Sequence, residues 1–199
     1  MTRIEAVSRT SSRQWRWFVV AMVLIWGCGT WAASAVADPA ADLRRAALGG
    51  DLATVNALIA KGAEVNATAN NGGTALMAAS VNGHREVVQA LLAEGAEVNA
   101  RSKDGVTALI AASQNGHREV VQALLDKPSE VNAKTNDGRT ALIQASQNDH
   151  REVVQALLAK GAEVNAKTND GRTALMVASL NGHREIVGLL KQAGAEAKE

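Results

Sequence analysis

From about residue 39 onward the chain repeats itself every 33 residues, and this period restricts the possible fold more than any other feature of the sequence. Thr74, Thr107, Thr140 and Thr173 share one register, His84, His117, His150 and His183 a second, and Asn66, Asn99, Asn132 and Asn165 a third. A period between about 20 and 50 residues marks a solenoid, in which each unit buries its apolar face only against its neighbours. The local pattern within one unit is helical. Thr74 is placed to cap a first helix carrying Leu76, Ala79 and Ser80, after which Asn82-Gly83 turns the chain. A second helix begins at His84, with Val87, Val88, Leu91 and Leu92 at helical spacing and Glu86 in the first turn, where the helix dipole favours negative charge. Gly95 can close that helix in a left-handed conformation. Helices of about eight to ten residues are marginal alone in water, so stacking has to supply most of their stability.

The unit Gly-x-Thr-Ala-Leu-x-x-Ala-Ser-x-Asn-Gly-His-Arg-Glu-Val-Val-x-x-Leu-Leu-x-x-Gly-Ala-Glu-Val-Asn-Ala resembles the ankyrin repeat. The resemblance implies an all-α solenoid of five helix-turn-helix units joined by hairpin fingers, with repeats at about 39–69, 70–102, 103–135, 136–168 and 169–199 inside a domain spanning 38–199. The end units differ in the direction a cap requires. The first carries Arg44, Arg45, Gly49-Gly50 and Asp51 where inner units have apolar residues or His, and the last introduces Gly188, Lys191, Gln192, Ala197 and Lys198. Three departures from the family pattern stand out. The usual Pro and His of the first helix are replaced by Ala75, Ala108, Ala141 and Ala174 and by Met77, Ile110, Ile143 and Met176, which removes the Thr-to-His bond expected in the family. Pro128 occupies the position of Gly95 and Gly161, and its fixed negative φ forbids a left-handed cap, so this corner must be built differently. Asp149 replaces a turn glycine, at some conformational cost.

Residues 1–37 read as a signal peptide. Arg3, Arg9, Arg13 and Arg16 stand against a lone Glu5 and precede the apolar run Trp17 to Trp26. That run falls short of the roughly 20 residues a membrane span needs and fits the 7 to 15 or so of a signal core. Ala35-Val36-Ala37 before Asp38 is the small-x-small pattern of a cleavage site, with Ala33-Ser34-Ala35 as a second position. Two alternatives stand beside cleavage: an uncleaved anchor using Trp17 to Ala37, and lipidation at Cys28, for which Trp26 is a poor neighbour. The expected location is periplasmic or secreted after cleavage near Ala37, or membrane-anchored with the repeats outside the cytoplasm. With this leader, the chain resembles bacterial exported ankyrin-repeat proteins, which implies an accessory, protective or inhibitory partner in the cell envelope.

Several chemistries are excluded or disfavoured. Lys plus Arg number 21 and Asp plus Glu 20, a net charge of +1 that gives no bulk attraction to nucleic acid. Every aromatic residue (Trp15, Trp17, Phe18, Trp26, Trp31) lies in the leader, so the repeats offer no stacking face for bases or sugars. Cys28 is the only cysteine and cannot form an intrachain disulfide. The four histidines recur at the roughly 10 Å pitch of packed helices, too far apart for one zinc, whose ligands lie about 2 Å from the ion. Glu86, Glu119, Glu152 and Glu185 lack partner carboxylates, and Asn136-Asp137-Gly138 and Asn169-Asp170-Gly171 lack the remaining ligands of a calcium loop and read as hairpin turns. No nucleophile elbow or phosphate loop occurs, so neither catalytic residues, a metal nor a cofactor is expected.

Recognition remains, and the positions at which the units differ from one another point to where. These are Gly73, Val106, Arg139 and Arg172 on the fingers, Ala78, Ala111, Gln144 and Val177 on the first helices, and Val81, Gln114, Gln147 and Leu180 after them. In an ankyrin stack they lie on or near the concave face, where Val81, Val106, Val177 and Leu180 would be apolar and exposed, a pattern that can mark a binding patch. The expected partner-binding set is Asn71, Val81, Asp104, Val106, Gln114, Asp137, Arg139, Gln144, Gln147, Asp170, Arg172 and Leu180. The expected partner is a protein, held by a monomeric domain that meets a membrane only through its N-terminal segment; a membrane-tethered or self-assembling scaffold is the alternative.

Overall fold

The computed structural model describes residues 38–195. The expected leader, with its cleavage position and Cys28, lies outside the described residues. Asp38–Glu199 form one compact unit. Within it, helices pair as α1 (Pro39–Gly49) with α2 (Leu52–Ala60), α3 (Ala75–Val81) with α4 (Arg85–Ala93), α5 (Ala108–Gln114) with α6 (Arg118–Leu125), α7 (Ala141–Gln147) with α8 (Arg151–Ala159), and α9 (Ala174–Leu180) with α10 (Arg184–Gln192). Odd-numbered helices stack on odd and even on even, giving two parallel rows with the core between them. No strand occurs among the described residues.

The helix boundaries follow from local chemistry. Thr74, Thr107, Thr140 and Thr173 each accept the N–H three residues on at 3.3 Å, which starts α3, α5, α7 and α9. These helices have only seven residues. Burial holds them: Ala75, Leu76 and Ala79 of α3 and their counterparts in α5, α7 and α9 are shielded from water. Burying one Leu side chain is worth about 1.5–3 kcal/mol, while a first helical turn costs more conformational entropy than its one hydrogen bond returns. The second helices bury one stripe, Val87, Val88 and Leu91 in α4, and leave Arg85, Glu86 and Gln89 in water. The Ser113 and Ser146 hydroxyls are buried without a partner. Ala47, fully buried at the same position of the first repeat, shows that a methyl serves there equally well.

The first and last described repeats differ from the inner ones. In the first repeat, which has no preceding repeat to bond to, Asp51 replaces the histidine and caps its own helix, accepting from the Thr54 N–H at 3.0 Å and from the Thr54 hydroxyl at 2.6 Å. Arg45 pairs with Asp42 at 2.7 Å, and Arg44 lies 3.9 Å from Asp38. In the fifth repeat Leu180 is 77% exposed and Ser179 faces water, unlike the buried Ser80, Ser113 and Ser146 at the same position of the inner repeats.

The corner at Pro128 is rebuilt as its sequence requires. In the other four repeats the chain leaves α2, α4, α8 and α10 through a left-handed glycine, and the following N–H (Ala63, Ala96, Ala162, Ala195) returns to the carbonyl of Leu58, Leu91, Leu157 or Leu190 at 2.9–3.0 Å. Pro128 denies that path, and α6 stops one residue earlier than α4. The Ser129 hydroxyl then donates to the Leu124 carbonyl at 2.5 Å, replacing the backbone N–H that the other corners use. Ser129→Ala should therefore cost about 1 kcal/mol, the usual net worth of such a bond. Adding Pro128→Gly in that background should recover most of the loss by restoring the backbone closure. Urea unfolding of the parent and these two variants measures both, and an unchanged midpoint for Ser129→Ala would remove the hydroxyl from the account.

Candidate partner-binding face

Two ladders of side chains join each repeat to the next. His84, His117, His150 and His183 donate through Nε2 to the carbonyls of Leu48, Val81, Gln114 and Gln147 at 2.8–3.0 Å. No histidine caps its own helix. Each ties down the start of its second helix by anchoring it to the preceding repeat. The ring leaves no space for a side chain beneath it, since a Cβ on Gly83 would stand 2.5 Å from His117 Nδ1. Asp149 breaks this rule at the last junction, taking φ 61°, and its carboxylate lies 3.4 Å from His183 Nδ1 while the Nε2 bond survives. The second ladder is made of asparagines. Asn66, Asn99 and Asn132 each accept the N–H of Glu97, Glu130 or Glu163 at 2.8 Å, and each donates to the carbonyl of Gly95, Pro128 or Gly161.

The fingers are closed turns. The N–H groups of Ala69, Ser102, Thr135 and Thr168 donate to the carbonyls of Gly73, Val106, Arg139 and Arg172 at 2.9 Å. Gly72, Gly105, Gly138 and Gly171 donate back at 2.8–2.9 Å with φ between 76° and 83°. Successive fingers are bonded sideways, Lys103 N–H to Asn71 O at 2.8 Å, Asn136 to Asp104 at 2.9 Å and Asn169 to Asp137 at 3.0 Å. Glycine is required on both counts at position 105, where a Cβ would stand 3.0 Å from the Asn136 nitrogen.

Between the fingers and the row of first helices run two adjoining clefts. One, of about 380 Å³, is lined by Arg44, Asn71, Met77, Ala78, Val81, Ser102, Asp104 and Val106, among others. Its neighbour, of about 340 Å³, is lined by Asp104, Val106, Thr135, Asn136, Asp137, Arg139 and Gln144. Seven of the expected binding residues thus border one continuous channel. Gln147 joins it through its 3.1 Å bond from Arg139, and Gln114 through its 3.5 Å contact with Gln144. Asp170 and Arg172 pair with each other on the last finger, and Leu180 stands at the end of α9, neither lining either cleft. Arg44, Met77 and Ser102 line the channel without having been expected there. Arg44 and Met77 sit on first helices one turn from the variable positions, a helical-spacing signal that could have found them.

Of the four apolar residues expected to be exposed, Val81 and Leu180 are, whereas Val177 is not and Val106 is so only in part. Val177 is 6% exposed and belongs to the core cluster, because its position on the first helix faces into the stack. Gln144, at the same register, is 8% exposed, so it presents only the edge of its amide to the cleft. Val106 is half-buried, whereas Val81 is 40% exposed.

The charges on the fingers are mostly neutralised internally. Asp137 accepts from the Thr135 hydroxyl and meets Arg139 Nε at 2.7 Å; Asp170 accepts from the Thr168 hydroxyl and meets Arg172 Nε at 3.0 Å. The threonine bond is the largest cause holding both carboxyls below the ordinary aspartate range; desolvation, second in size, opposes it, and the adjacent arginine adds a further lowering. Asp51 is lowered as well, chiefly by the Thr54 hydroxyl. Among the described residues no three His, Cys, Asp or Glu side chains gather closely enough to hold a metal ion, and no helix is long and apolar enough to cross a membrane.

Residues 43–135 and 127–199 match a family model described as ankyrin repeats (3 copies). A comparison with curated proteins found no match.

The lowered carboxyls set the sign of an acid response. A carboxyl whose folded pKa lies below its unfolded value of about 3.9 stabilises the fold above that pH and loses this contribution as the pH falls through the folded value. Stability should therefore decline below about pH 4. Asp137→Asn and Asp170→Asn together should flatten that decline in thermal melts between about pH 5 and pH 2; a decline as steep as the parent's would show that the fingers do not contribute to it.

Proposed function

Because the chain belongs to the ankyrin repeat family, whose repeats are protein-protein interaction modules rather than catalysts, we propose that it is an exported binding protein that holds one protein partner in the channel between its fingers and first helices. The observation that carries this reading is the division of labour among its residues. Those identical from repeat to repeat (the histidines, the asparagines, the capping threonines) make the bonds within and between repeats. Of the twelve positions that differ, seven (Gly73, Ala78, Val81, Val106, Ala111, Arg139 and Gln144) border the channel. The variable residues at the ends of the first helices are free to differ because the histidine bonds to their backbone carbonyl, not to their side chain. A stack of five repeats at about 10 Å each has room for an interface of the common size, about 800 Å² per partner.

The leader supports export: its basic start, short apolar run and small residues before Asp38 are what a signal peptidase reads. A periplasmic or secreted location fits an accessory, protective or inhibitory role beside another envelope protein. Retention of Trp17 to Ala37, or lipidation at Cys28, would make the same stack a membrane-tethered scaffold, a reading to which the uncovered Leu180 at the end of the stack lends some support.

Mass determination of the native protein after membrane fractionation separates these readings. A soluble species beginning at Asp38 is expected, and a membrane-bound species retaining the apolar run overturns the soluble form of the proposal. For the binding face, Arg139→Glu combined with Arg172→Glu should leave the helical circular dichroism intact, because Arg172 is exposed, Arg139 is half-buried at the cleft edge and outside the core cluster, and ion pairs open to water contribute about 1 kcal/mol or less. The partner retained by the parent protein from an envelope extract should be released by the double variant, and equal retention would take these fingers out of the site.

A further inference from the structure

The four finger tips carry Asn71, Asp104, Asp137 and Asp170 in one register, and only Asp104 presents an uncompensated charge. Asn71 turns its amide oxygen onto the Gly73 N–H at 3.0 Å. Asp137 and Asp170 are each held by a threonine hydroxyl and by an arginine two residues on. In the second finger the arginine position is Val106, and Ser102, which accepts the Val106 N–H at 3.1 Å as Thr135 and Thr168 accept theirs, makes no bond to Asp104. The Asp104 side chain is exposed, and among the described residues it has neither a hydrogen bond nor a cation within ion-pair distance. Alone among the four tip residues it borders both clefts, together with Val106 of the same finger. Beside it lies the apolar floor of the larger cleft, Met77, Ala78, Val81, Val106 and Ala111. The arginines around it are already occupied: Arg101, whose guanidinium lies beside Gly105, by the Lys134 carbonyl, Arg44 by the Ala67 carbonyl and Asp38, and Arg139 by Asp137 and Gln147.

We propose that Asp104 and the apolar floor beside it form the selective subsite of the channel, taking a partner segment in which an arginine or lysine adjoins an aliphatic side chain. The inference rests on the channel being the binding face. An unpaired carboxylate at the edge of a half-dry cleft gains most from a cation brought by the partner, because the surrounding apolar walls reduce screening by water. The same charge disfavours an acidic segment, which would place like charges together. The replacement of arginine by valine in this finger thus has two consequences at once: it leaves the carboxylate open and adds a methyl pair to the floor.

The chain supplies its own control. Val106→Arg rebuilds in the second finger the Asp-Gly-Arg sequence of the third and fourth, so that the variant folds as those fingers do and closes Asp104 from within. Asp104→Asn places in this finger the residue found at the tip of the first. A phage-displayed library of random dodecapeptides, panned on the protein as isolated from cells, provides the probe. Enriched peptides should carry Arg or Lys next to Leu, Ile or Val, and the best of them, made synthetically, should bind both Asp104→Asn and Val106→Arg at least ten-fold more weakly than the parent. Enrichment of peptides without a cation, failure to enrich any peptide, or equal binding to both variants overturns the inference. If binding of the enriched peptide ignores these two variants and is lost in the Arg139→Glu, Arg172→Glu protein, the channel remains the binding face and only the Asp104 subsite falls. If all variants bind alike, the channel itself is refuted.

Discussion

A repeat of two short helices cannot hold itself together, and the junction between one repeat and the next is therefore the interaction on which the whole structure depends. Seven-residue helices lie below the length at which a helix persists in water. Their stability comes from the apolar stripe that each pair shares with its neighbours, and their register from the polar bonds that cross the junction. The histidine bond to the preceding carbonyl and the asparagine bridge to the following repeat recur along the stack. Since each junction relies only on nearest neighbours, a local defect such as the Pro128 corner is repaired locally, by one hydroxyl.

The same bonding pattern leaves a surface free to specialise. A histidine that recognises a carbonyl is indifferent to the side chain on that residue, so Val81, Gln114 and Gln147 differ without cost to the junction. Finger turns closed by backbone bonds are likewise indifferent to whether Val106 or Arg139 follows the glycine. Binding specificity can vary at these places while the scaffold does not change. That separation is the physical reason a repeat stack serves recognition better than catalysis, which would need groups from several repeats converging on a few ångströms.

Much of this was legible because the period compares the chain with itself. The threonine caps, the left-handed glycines, the glutamates in the first turn of the second helices and the trouble at Pro128 all follow from local chemistry that each unit states again. The face of the first helix was less legible. Val177 was expected to be exposed because its register varies from repeat to repeat, yet it belongs to the core cluster, and Gln144 at the same register is buried as well. The asparagine ladder was visible as a register, but its purpose was not, because both of its partners lie in the next repeat. The contrast between Asp104 and the other finger aspartates could be found only by seeing which arginines close on which carboxylates.

The sequence by itself determined the period, the all-helical unit, the five helix pairs and the places where neighbouring units differ, since each depends on residues within one unit of one another. Only the tertiary structure decided which of those differing residues are exposed, which clefts they border and which charges remain open. The reason is geometric. Stacking brings together residues about 33 positions apart, as with Asn136 and Lys103 or His150 and Gln114, and whether a side chain then meets a partner, a wall or water depends on how closely two repeats approach, a distance that no single unit contains.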